Sequence, residues 1–218
     1  MNPVVLICTH NRHEITSYNV TSLLNQSVRP KIILVVSNLE EKFYYQRKFP
    51  ECILLICPNH PLGKKWAFGA QHAYNIKANP LIILGSDDIL GPNAIETYVT
   101  LLSEHHFVGL KLWYIHHKGK AYYCEYLAKM PLGGGRSYSF WLLDQMNGQI
   151  FDDRINRHLD DLAIKKAKNL GIECYIETTI ELHAIKGDWP VMNDVNLSHP
   201  NIKVISNHES INLLPDLY

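Results

Sequence analysis

The chain has 218 residues, 46% hydrophobic and 19% charged, a globular composition that leaves little room for a long disordered segment. Twenty-one basic residues balance 21 acidic ones, so net charge gives no support to nucleic acid or an anionic membrane as the main partner. No apolar run approaches the ~20 residues that cross a bilayer. We expect one domain, without a nucleic-acid partner or an integral membrane segment.

Cysteine usage bears on the compartment. The five cysteines form no CxxC pair and no spacing typical of a metal site. Three lie in apolar, strand-like runs, which favours buried reduced thiols. The amino-terminal segment lacks the basic region of a signal peptide. We therefore expect a reducing, cytoplasmic location.

The first part of the sequence alternates apolar runs with amphipathic segments. Four apolar runs predict strands, at 4–8, 31–36, 52–57 and 81–84. The segments between them predict helices at 14–26 and 64–75 and a polar helix or extended loop at 37–50. This order predicts right-handed crossovers and a parallel sheet.

After residue 92 the pattern becomes richer in strands. A helix at 94–104 precedes two predicted antiparallel strands, 108–115 and 121–127, joined around Lys118 and Gly119. The next predicted elements are a helix-like segment at 137–146, a helix at about 160–170 ended by Gly171, and one strand within 174–185. The tail from 187 to 218 has weak periodicity and is expected to form an arm or a lid.

Two adjacent carboxylates, Asp87 and Asp88, follow the fourth predicted strand. In open α/β sheets the ligand crevice lies at the carboxyl ends of the strands. Paired carboxylates there are typical ligands for Mg²⁺ or Mn²⁺, with substrate phosphates completing the coordination. The alternative is that one of them caps a helix that begins near Pro92.

Several nucleotide-binding folds do not fit the motifs. The loop after the first strand, CTHNRHE, has no glycine, which argues against a dinucleotide-binding fold. The segment LGKKWAFG is not a P-loop, and the acids of a phospho-acceptor domain are missing after the first strand. Phosphate binding would then depend on a metal and on scattered side chains.

Five segments in order resemble the GT-A fold of nucleotide-sugar glycosyltransferases, in particular the family-2-like group. They are VVLICTHNR, IILVVSN, LGKKWAFGAQHA, LIILGSDDIL and the run from GGGRSYSFWLL to KKAKNLG, which together span about residues 3 to 171. The resemblance implies a single Rossmann-like α/β domain with a mainly parallel central sheet, flanking helices and a small antiparallel insert. Its implied parts are a nucleotide-sugar-binding half at 1–91, an acceptor-side half at 92–186 and an arm or lid at 187–218.

The resemblance, and the positive charge at one helix start, indicate a set of donor-site residues. The expected nucleotide-sugar-binding residues are Thr9, Asn11, Arg12, Ser37, Asn38, Lys64, Lys65, Ser86, Asp87 and Asp88. The lysines could instead lie on a solvated helix face, and Arg12 in a surface loop. Many relatives carry Asp-Asp where this chain has Ser37 and Asn38. The resemblance implies that these positions contact the nucleotide base, so the departure weakens the prediction of uridine as the base.

The metal motif of the family is Asp-x-Asp, and this chain departs from it. Gly85, Ser86 and Asp87 occupy those positions, so Asp87 is the matching ligand for Mn²⁺ or Mg²⁺. Side chains alternate along a strand, so Asp88 can contribute only if the backbone turns. His183 is a further candidate ligand.

On the acceptor side, the resemblance implies an acidic base at a later helix start, either Asp160 or Asp161. A carboxylate there would take the proton of the acceptor hydroxyl while the metal stabilises the leaving diphosphate. One of the two is also expected to cap the helix, and Asp152 and Asp153 are competing bases. The other expected residues on this side are Gly134, Gly135, Arg136 and Trp141, although three glycines can also form a plain turn and tryptophan can belong to the core.

The sequence therefore predicts a metal-dependent glycosyltransferase. It would move a hexose from a nucleoside diphosphate (NDP) sugar, with a UDP-sugar as the expected donor, to a hydroxyl of a glycan, lipid or protein, with inversion and an oxocarbenium-like transition state. A sugar nucleotidyltransferase shares the sheet, but it would need a glycine-rich basic first loop. A non-catalytic sugar-nucleotide or glycan-binding module is open because the first acid of the motif is missing. The oligomeric state is not predicted.

Overall fold

The computed structural model describes residues 1–157, 159, 161–186 and 196–209. The helices are α1 His13–Leu24, α2 Leu39–Lys48, α3 Leu62–Asn75, α4 Ala94–Leu101, α5 Phe140–Gln145 and α6 Asp161–Asn169. The strands are β1 Val4–Cys8, β2 Lys31–Val36, β3 Ile53–Ile56, β4 Leu81–Gly85, β5 Asp88–Leu90, β6 Phe107–Leu110, β7 Leu112–His117, β8 Lys120–Tyr126, β9 Arg136–Tyr138, β10 Tyr175–Glu177, β11 Leu182–Lys186 and β12 Ile202–Glu209. None of the helices in these ranges is long and apolar enough to span a bilayer.

Within the described residues, one sheet has seven strands in the order β10-β6-β9-β4-β1-β2-β3. The run β4-β1-β2-β3 is parallel, and β9 is the antiparallel strand between β4 and β6. Strand β1 lies between β4 and β2, with Cys8 opposite Gly85 on one side and Val35 on the other. These strands therefore end at the same edge of the sheet.

The seven-stranded sheet is covered on both faces, which explains its continuous apolar runs. Val5 and Ile7 face a core that includes residues of α1, α2 and α4. Val4 and Leu6 face a second core that includes residues of α3, α5 and α6. All four side chains are fully buried. The predicted α/β class with a central sheet between helices is confirmed.

A second sheet of the described chain has five strands in the order β12-β8-β7-β11-β5. Strands β7 and β8 form the predicted antiparallel hairpin, and both turn residues, Lys118 and Gly119, have positive φ. Strand β11 pairs antiparallel with β5 and parallel with β7, and β12 adds to β8. The predicted insert is thus part of a larger mixed sheet.

Several predicted boundaries change in the structure. The apolar segment 108–115 splits at Lys111 into β6 and β7, which join different sheets, and 174–185 likewise contains both β10 and β11. The helix-like segment 137–146 begins inside β9, and its helix starts only after Ser139, whose Oγ accepts a hydrogen bond from the amide of Leu142 at 3.2 Å. An apolar segment does not show where the chain passes from one sheet to another. The boundaries between β6 and β7 and between β10 and β11 were therefore not predicted.

Three other predictions concern the segment 37–50, which was predicted as a polar helix or an extended loop, the acidic pair Asp87 and Asp88, and the tail. The segment 37–50 contains helix α2 rather than an extended loop. A short strand, β5, begins at Asp88, so the chain returns to a sheet before α4 starts at Ala94. Of the tail, 196–209 contains edge strand β12, while 187–195 and 210–218 lie outside the described residues. The functional division at residues 91 and 186 stays a prediction, and both sheets contain strands from each side of residue 91.

Candidate functional site

A cleft of about 450 Å³ opens where β1 and β4 end. It is lined by Cys8, Thr9, His10, Asn11, Arg12, Asn59, Leu62, Trp66, Gly85, Ser86 and Asp87. We call it the first cleft. Five of the expected donor-site residues, Thr9, Asn11, Arg12, Ser86 and Asp87, are brought together here, because parallel neighbours end at the same edge.

The carboxylate of Asp87 is buried in the wall of the first cleft and contacts two cationic side chains. Its side chain is 7% exposed. Oδ1 lies 3.2 Å from Nη1 of Arg12, and Oδ2 accepts a short hydrogen bond from Nζ of Lys186. Nη1 of Arg12 also donates to Oγ of Ser86 at 3.3 Å. Both oxygens of Asp87 therefore have a cationic partner.

Asp88 turns back toward the end of β4. Its Oδ2 accepts a hydrogen bond from the amide of Gly85 at 3.1 Å. A Cβ at Gly85 would lie 2.5 Å from that oxygen, and so would a Cβ at Gly134. The carboxylate thus fills the space that a side chain at position 85 would need. Burial raises the pKa of Asp88 to about 6, against the opposing charge of Lys186.

Lys186 reaches the aspartates from the second sheet. Ala184 is paired with Asp88, and residues two apart on a strand share a face, which directs Lys186 to the same side. Its Nζ lies 4.0 Å from Oδ1 of Asp88 in addition to its contact with Asp87. Burial acts to lower the pKa of Lys186, but the two carboxylates outweigh it and hold the pKa above its ordinary value. Sequence reasoning did not select Lys186.

The two aspartates expected to bind Mn²⁺ or Mg²⁺ are paired with cationic side chains of the protein itself. Lys186 contacts both carboxylates, and Arg12 contacts the remaining oxygen of Asp87. In the part of the chain that the structure describes, no group of three or more His, Cys, Asp or Glu side chains is placed to hold a metal. As arranged, these residues do not fit a divalent cation, and the metal stays a prediction from the sequence.

His183 lies away from the acidic pair. It is paired with Ile89, so it faces the opposite side of the sheet from Asp88. Its ring stacks on Tyr114 with centroids 4.7 Å apart, and its Nδ1 is 3.1 Å from Nε2 of His116. Burial lowers the pKa of His183 to about 4. The structure does not bring this candidate ligand together with the aspartates.

Lys65 is buried and joins the ends of β1 and β2. Its Nζ donates to the carbonyl of Thr9, to Oγ of Ser37 at 2.7 Å and to Oδ1 of Asn59 at 3.3 Å. Burial lowers its pKa. The expected donor-site residue Lys65 thus holds the cleft wall with its ammonium, whereas Lys64 beside it is exposed.

The amino terminus of α3 is covered by the loop 152–156. The amide of Leu62 donates to Oδ1 of Asn156 at 2.7 Å, and that of Gly63 donates to the carbonyl of Ile155 at 2.9 Å. A Cβ at Gly63 would lie 1.9 Å from the carbonyl oxygen of Asp152, so only glycine permits this approach. These amides bond the protein's own loop, which differs from the expected phosphate contact at this helix start.

Glu41 is a second residue that the sequence analysis missed. It is 2% exposed and accepts hydrogen bonds from the amides of Asn11 at 2.6 Å and Ser37 at 2.5 Å. Asn38 caps α2 by accepting from the amide of Glu41 at 2.9 Å. The spacing of Asn38 and Glu41 matches a helix-capping pair, which was a usable signal. Ser37 and Asn38 thus lie at the end of β2, beside the loop that carries Asn11.

A second cleft of about 390 Å³ adjoins the first at Trp66. It is lined by Trp66, Ile83, Gly133, Arg136, Tyr138, Phe151, Asn156, Arg157 and Leu159. Arg136 is buried, and its Nε and Nη2 donate to the carbonyls of Leu132 at 2.7 Å and Pro131 at 2.8 Å. The glycine-rich loop is therefore closed by its own arginine and contributes Gly133 to the lining of the second cleft.

Comparison with solved structures finds crystal structures of TarS from S. aureus, a GT-A-type, family-2-like glycosyltransferase. One matches with a TM-score of 0.64 at 16% identity over 85% of this chain and 37% of its own chain. Another, TarS 1–349 in complex with UDP, matches with a TM-score of 0.58 at 16% identity over 85% of this chain and 60% of its own. The chain has the GT-A fold. The resemblance stated from the five ordered segments is confirmed at this level.

This chain spans less than two thirds of the length of the TarS chains that it matches. No protein-family model matches the sequence, and a search of curated proteins finds no match. The likeness of this chain to TarS is therefore a likeness of fold.

The remaining acceptor-side candidates of the GT-A chain are spread over the second half. Asp161 is the first residue of α6, and Asp160 lies outside the described residues. Leu159, just before them, lines the second cleft. Trp141 is 45% exposed, stacks on His106 and lines neither cleft. Asp152 is bonded by Arg154 at 2.9 and 2.8 Å, which lowers its pKa to about 2.

Proposed function

We propose that this GT-A chain transfers a hexose from an NDP-sugar, with a UDP-sugar as donor, to the hydroxyl of a glycan, lipid or protein. The observation that carries the proposal is the pair of clefts that adjoin at Trp66, the first of them at the ends of β1 and β4. A two-substrate transfer needs two such sites that meet where the bond is exchanged. The likeness to TarS, of which one structure is a complex with UDP, supports the donor class.

The first cleft is the proposed donor site. A nucleoside diphosphate is strongly anionic, and Arg12 places a guanidinium in the lining of the cleft. Thr9, Asn59 and Ser86 add polar groups to the same wall. Glu41 and Lys65 hold the loop after β1 in place, so the binding groups are organised before the donor arrives.

The second cleft is the proposed acceptor site. Its aromatic and polar lining, together with Arg157, suits a ligand that has both apolar faces and hydroxyls. Asp160 or Asp161, just after Leu159, is the proposed base for the acceptor hydroxyl. The deprotonated hydroxyl would attack the anomeric carbon on the face opposite the nucleoside diphosphate, the bond to the diphosphate would break as the new bond forms, and this single displacement would give inversion. The cytoplasmic location predicted from the cysteines is retained as part of this proposal.

Turnover tests the proposal directly. The folded chain is incubated with a panel of NDP-sugars and acceptor hydroxyl compounds, and release of nucleoside diphosphate is measured. We expect release with at least one donor, and we expect either Asp160→Asn or Asp161→Asn to lower the rate by roughly 10²-fold or more. Asp144→Asn is the control, since Asp144 bonds Tyr74 on the surface and lines neither cleft. No release with any donor contradicts the proposal.

A non-catalytic sugar-nucleotide-binding module is the second candidate function. The observation that favours it is Gly85, which stands where the family motif has its first acid. Binding of an NDP-sugar without transfer to any acceptor would select this candidate.

A further inference from the structure

The geometry points to Lys186 as a replacement for a divalent metal: its ammonium serves as the counter-ion of Asp87 and Asp88, and the donor site works without a metal ion. The claim that nucleotide binds without a metal ion rests on the proposed function. The claim that Lys186 is the counter-ion of the two aspartates rests on the described residues alone.

The ammonium group of Lys186 contacts both carboxylates. Nζ of Lys186 bonds Oδ2 of Asp87 and lies 4.0 Å from Oδ1 of Asp88. A bridging divalent cation would need these same oxygens. The side chain of Lys186 is 16% exposed, so its charge needs the carboxylates as partners.

The other two carboxylate oxygens already have partners within the protein. Oδ1 of Asp87 is paired with Arg12, and Oδ2 of Asp88 accepts from the amide of Gly85. That oxygen is also packed between Gly85 and Gly134, each of which leaves space only because it lacks a Cβ. An Mg²⁺ or Mn²⁺ ion, which takes about six oxygen ligands, would have to displace these partners.

Backbone pairing fixes Lys186 in place beside the aspartates. The amide of Ile185 donates to the carbonyl of Asp87 at 3.0 Å, and Ala184 is paired with Asp88. The lysine therefore comes from a strand bonded to the aspartates themselves. Lys186 and Arg12 together neutralise Asp87, and the guanidinium of Arg12 also lines the first cleft, where the diphosphate would meet it.

Mn²⁺ binding to the protein alone is the first test, and it needs no nucleotide. The electron paramagnetic resonance signal of free Mn²⁺ is followed as wild type, Lys186→Met, Lys186→Arg and Lys203→Met are added. Lys203 is the matched control, because it is exposed and pairs with Glu125 on the same sheet. We expect binding only by Lys186→Met, in which both carboxylates lose the ammonium of Lys186 and Asp87 keeps only its contact with Arg12 among the ion pairs described above.

Binding of Mn²⁺ by the wild-type protein would overturn the inference, whether or not any variant folds. A folded Lys186→Met that binds no Mn²⁺ would also overturn it, since removal of the ammonium would then not vacate a cation position. Circular dichroism establishes that each variant is folded.

Calorimetric titration with UDP in EDTA and in Mn²⁺ is the second test. We expect the affinity of the wild type for UDP to differ by less than about threefold between the two conditions. Lys186→Met should bind UDP about tenfold or more weakly than wild type in EDTA, and its affinity for UDP should recover when Mn²⁺ is present. UDP binding by the wild type that requires Mn²⁺ overturns the inference. If no nucleoside diphosphate binds in either condition, the proposed function fails, and the Mn²⁺ signal still decides the role of Lys186.

Discussion

At the scale of single residues, buried charges organise the first cleft. Glu41 and Lys65 are almost fully buried, and each bonds backbone or side-chain groups at the ends of β1 and β2. The sequence could not predict the contact of Asp87 with Lys186, which lies 99 positions further along the chain and belongs to no motif. By contrast, the edge of the sheet where Asp87 lies could be predicted, because it follows directly from the end of an apolar run.

Replacement of Lys65 by methionine should destabilise the fold. The change removes three hydrogen bonds, to the carbonyl of Thr9, to Oγ of Ser37 and to Oδ1 of Asn59, and replaces the buried ammonium that donates them by an apolar group. We expect a loss of about 2–4 kcal/mol in the free energy of unfolding, measured by urea denaturation. Lys64→Met at the exposed neighbouring position should change it by less than about 0.5 kcal/mol. Equal effects of the two changes would contradict this role.

Glu41→Gln tests the loop after β1. A neutral amide accepts less strongly from the amides of Asn11 and Ser37, so we expect a loss of about 1–3 kcal/mol in stability and a weaker affinity for UDP. Glu40→Gln, at an exposed position of the same helix, is the control. Unchanged UDP affinity in Glu41→Gln would show that the loop does not depend on this carboxylate.

At the scale of elements, long apolar or amphipathic segments were predicted with good bounds, and short strands were not. Strand β2 has the predicted limits, and α3 begins two residues earlier than expected. The three-residue strands β5, β9 and β10 have too few residues for a periodic pattern, and partner strands distant in sequence determine them. Strand β5 matters most, since its pairing with β11 brings Lys186 to the aspartates.

Gly63→Ala should disturb the contact between α3 and the loop 152–156. The added Cβ would meet the carbonyl oxygen of Asp152 at 1.9 Å, and backbone must move to relieve it. We expect a cost of about 1–3 kcal/mol in urea denaturation, whereas Lys64→Ala on the same helical turn should be nearly neutral. Stability equal to wild type in Gly63→Ala would show that the loop does not rest on the helix.

The pairing of β11 with β7 predicts a pH dependence of stability. His183 has a folded-state pKa of about 4, below its ordinary value, because burial against Tyr114 and His116 disfavours the charged form. Glu181 is the nearest carboxylate, 3.7 Å from Nε2. The unfolded chain takes up a proton near pH 6.5, so the contribution of His183 to stability falls as the pH drops from about 6.5 to 4, by up to about 3 kcal/mol. The raised pKa of Asp88, about 6, acts in the opposite direction in the lower part of this range, so the effect of His183 is seen in the difference between wild type and a His183 variant.

His183→Phe keeps an aromatic ring against Tyr114 and removes the titrating group. Urea denaturation from pH 7 to pH 4 should therefore give a shallower fall in stability for the variant than for wild type. Parallel curves would assign the pH dependence to other groups.

At the scale of the whole molecule, the order of the segments predicted the GT-A fold better than any single motif. The acid pair after β4 pointed to the correct edge of the sheet, although the family's first acid is absent at Gly85. The second sheet was predicted only as an insert, because β11 and β12 join it from distant parts of the chain. The two clefts meet at Trp66, where β1, β4 and α3 come together. A nucleoside diphosphate is proposed to bind in the first cleft, and this is the central claim.

Calorimetric titration of UDP into wild type, Arg12→Met and Arg29→Met tests that claim most directly. Arg12 lines the first cleft, whereas Arg29 is exposed and pairs with Glu51 on the surface. We expect wild type and Arg29→Met to bind UDP equally and Arg12→Met to bind it about tenfold or more weakly, since it loses a charge-assisted contact with the diphosphate. Equal affinity in all three proteins, or no binding of UDP by wild type, would contradict the account.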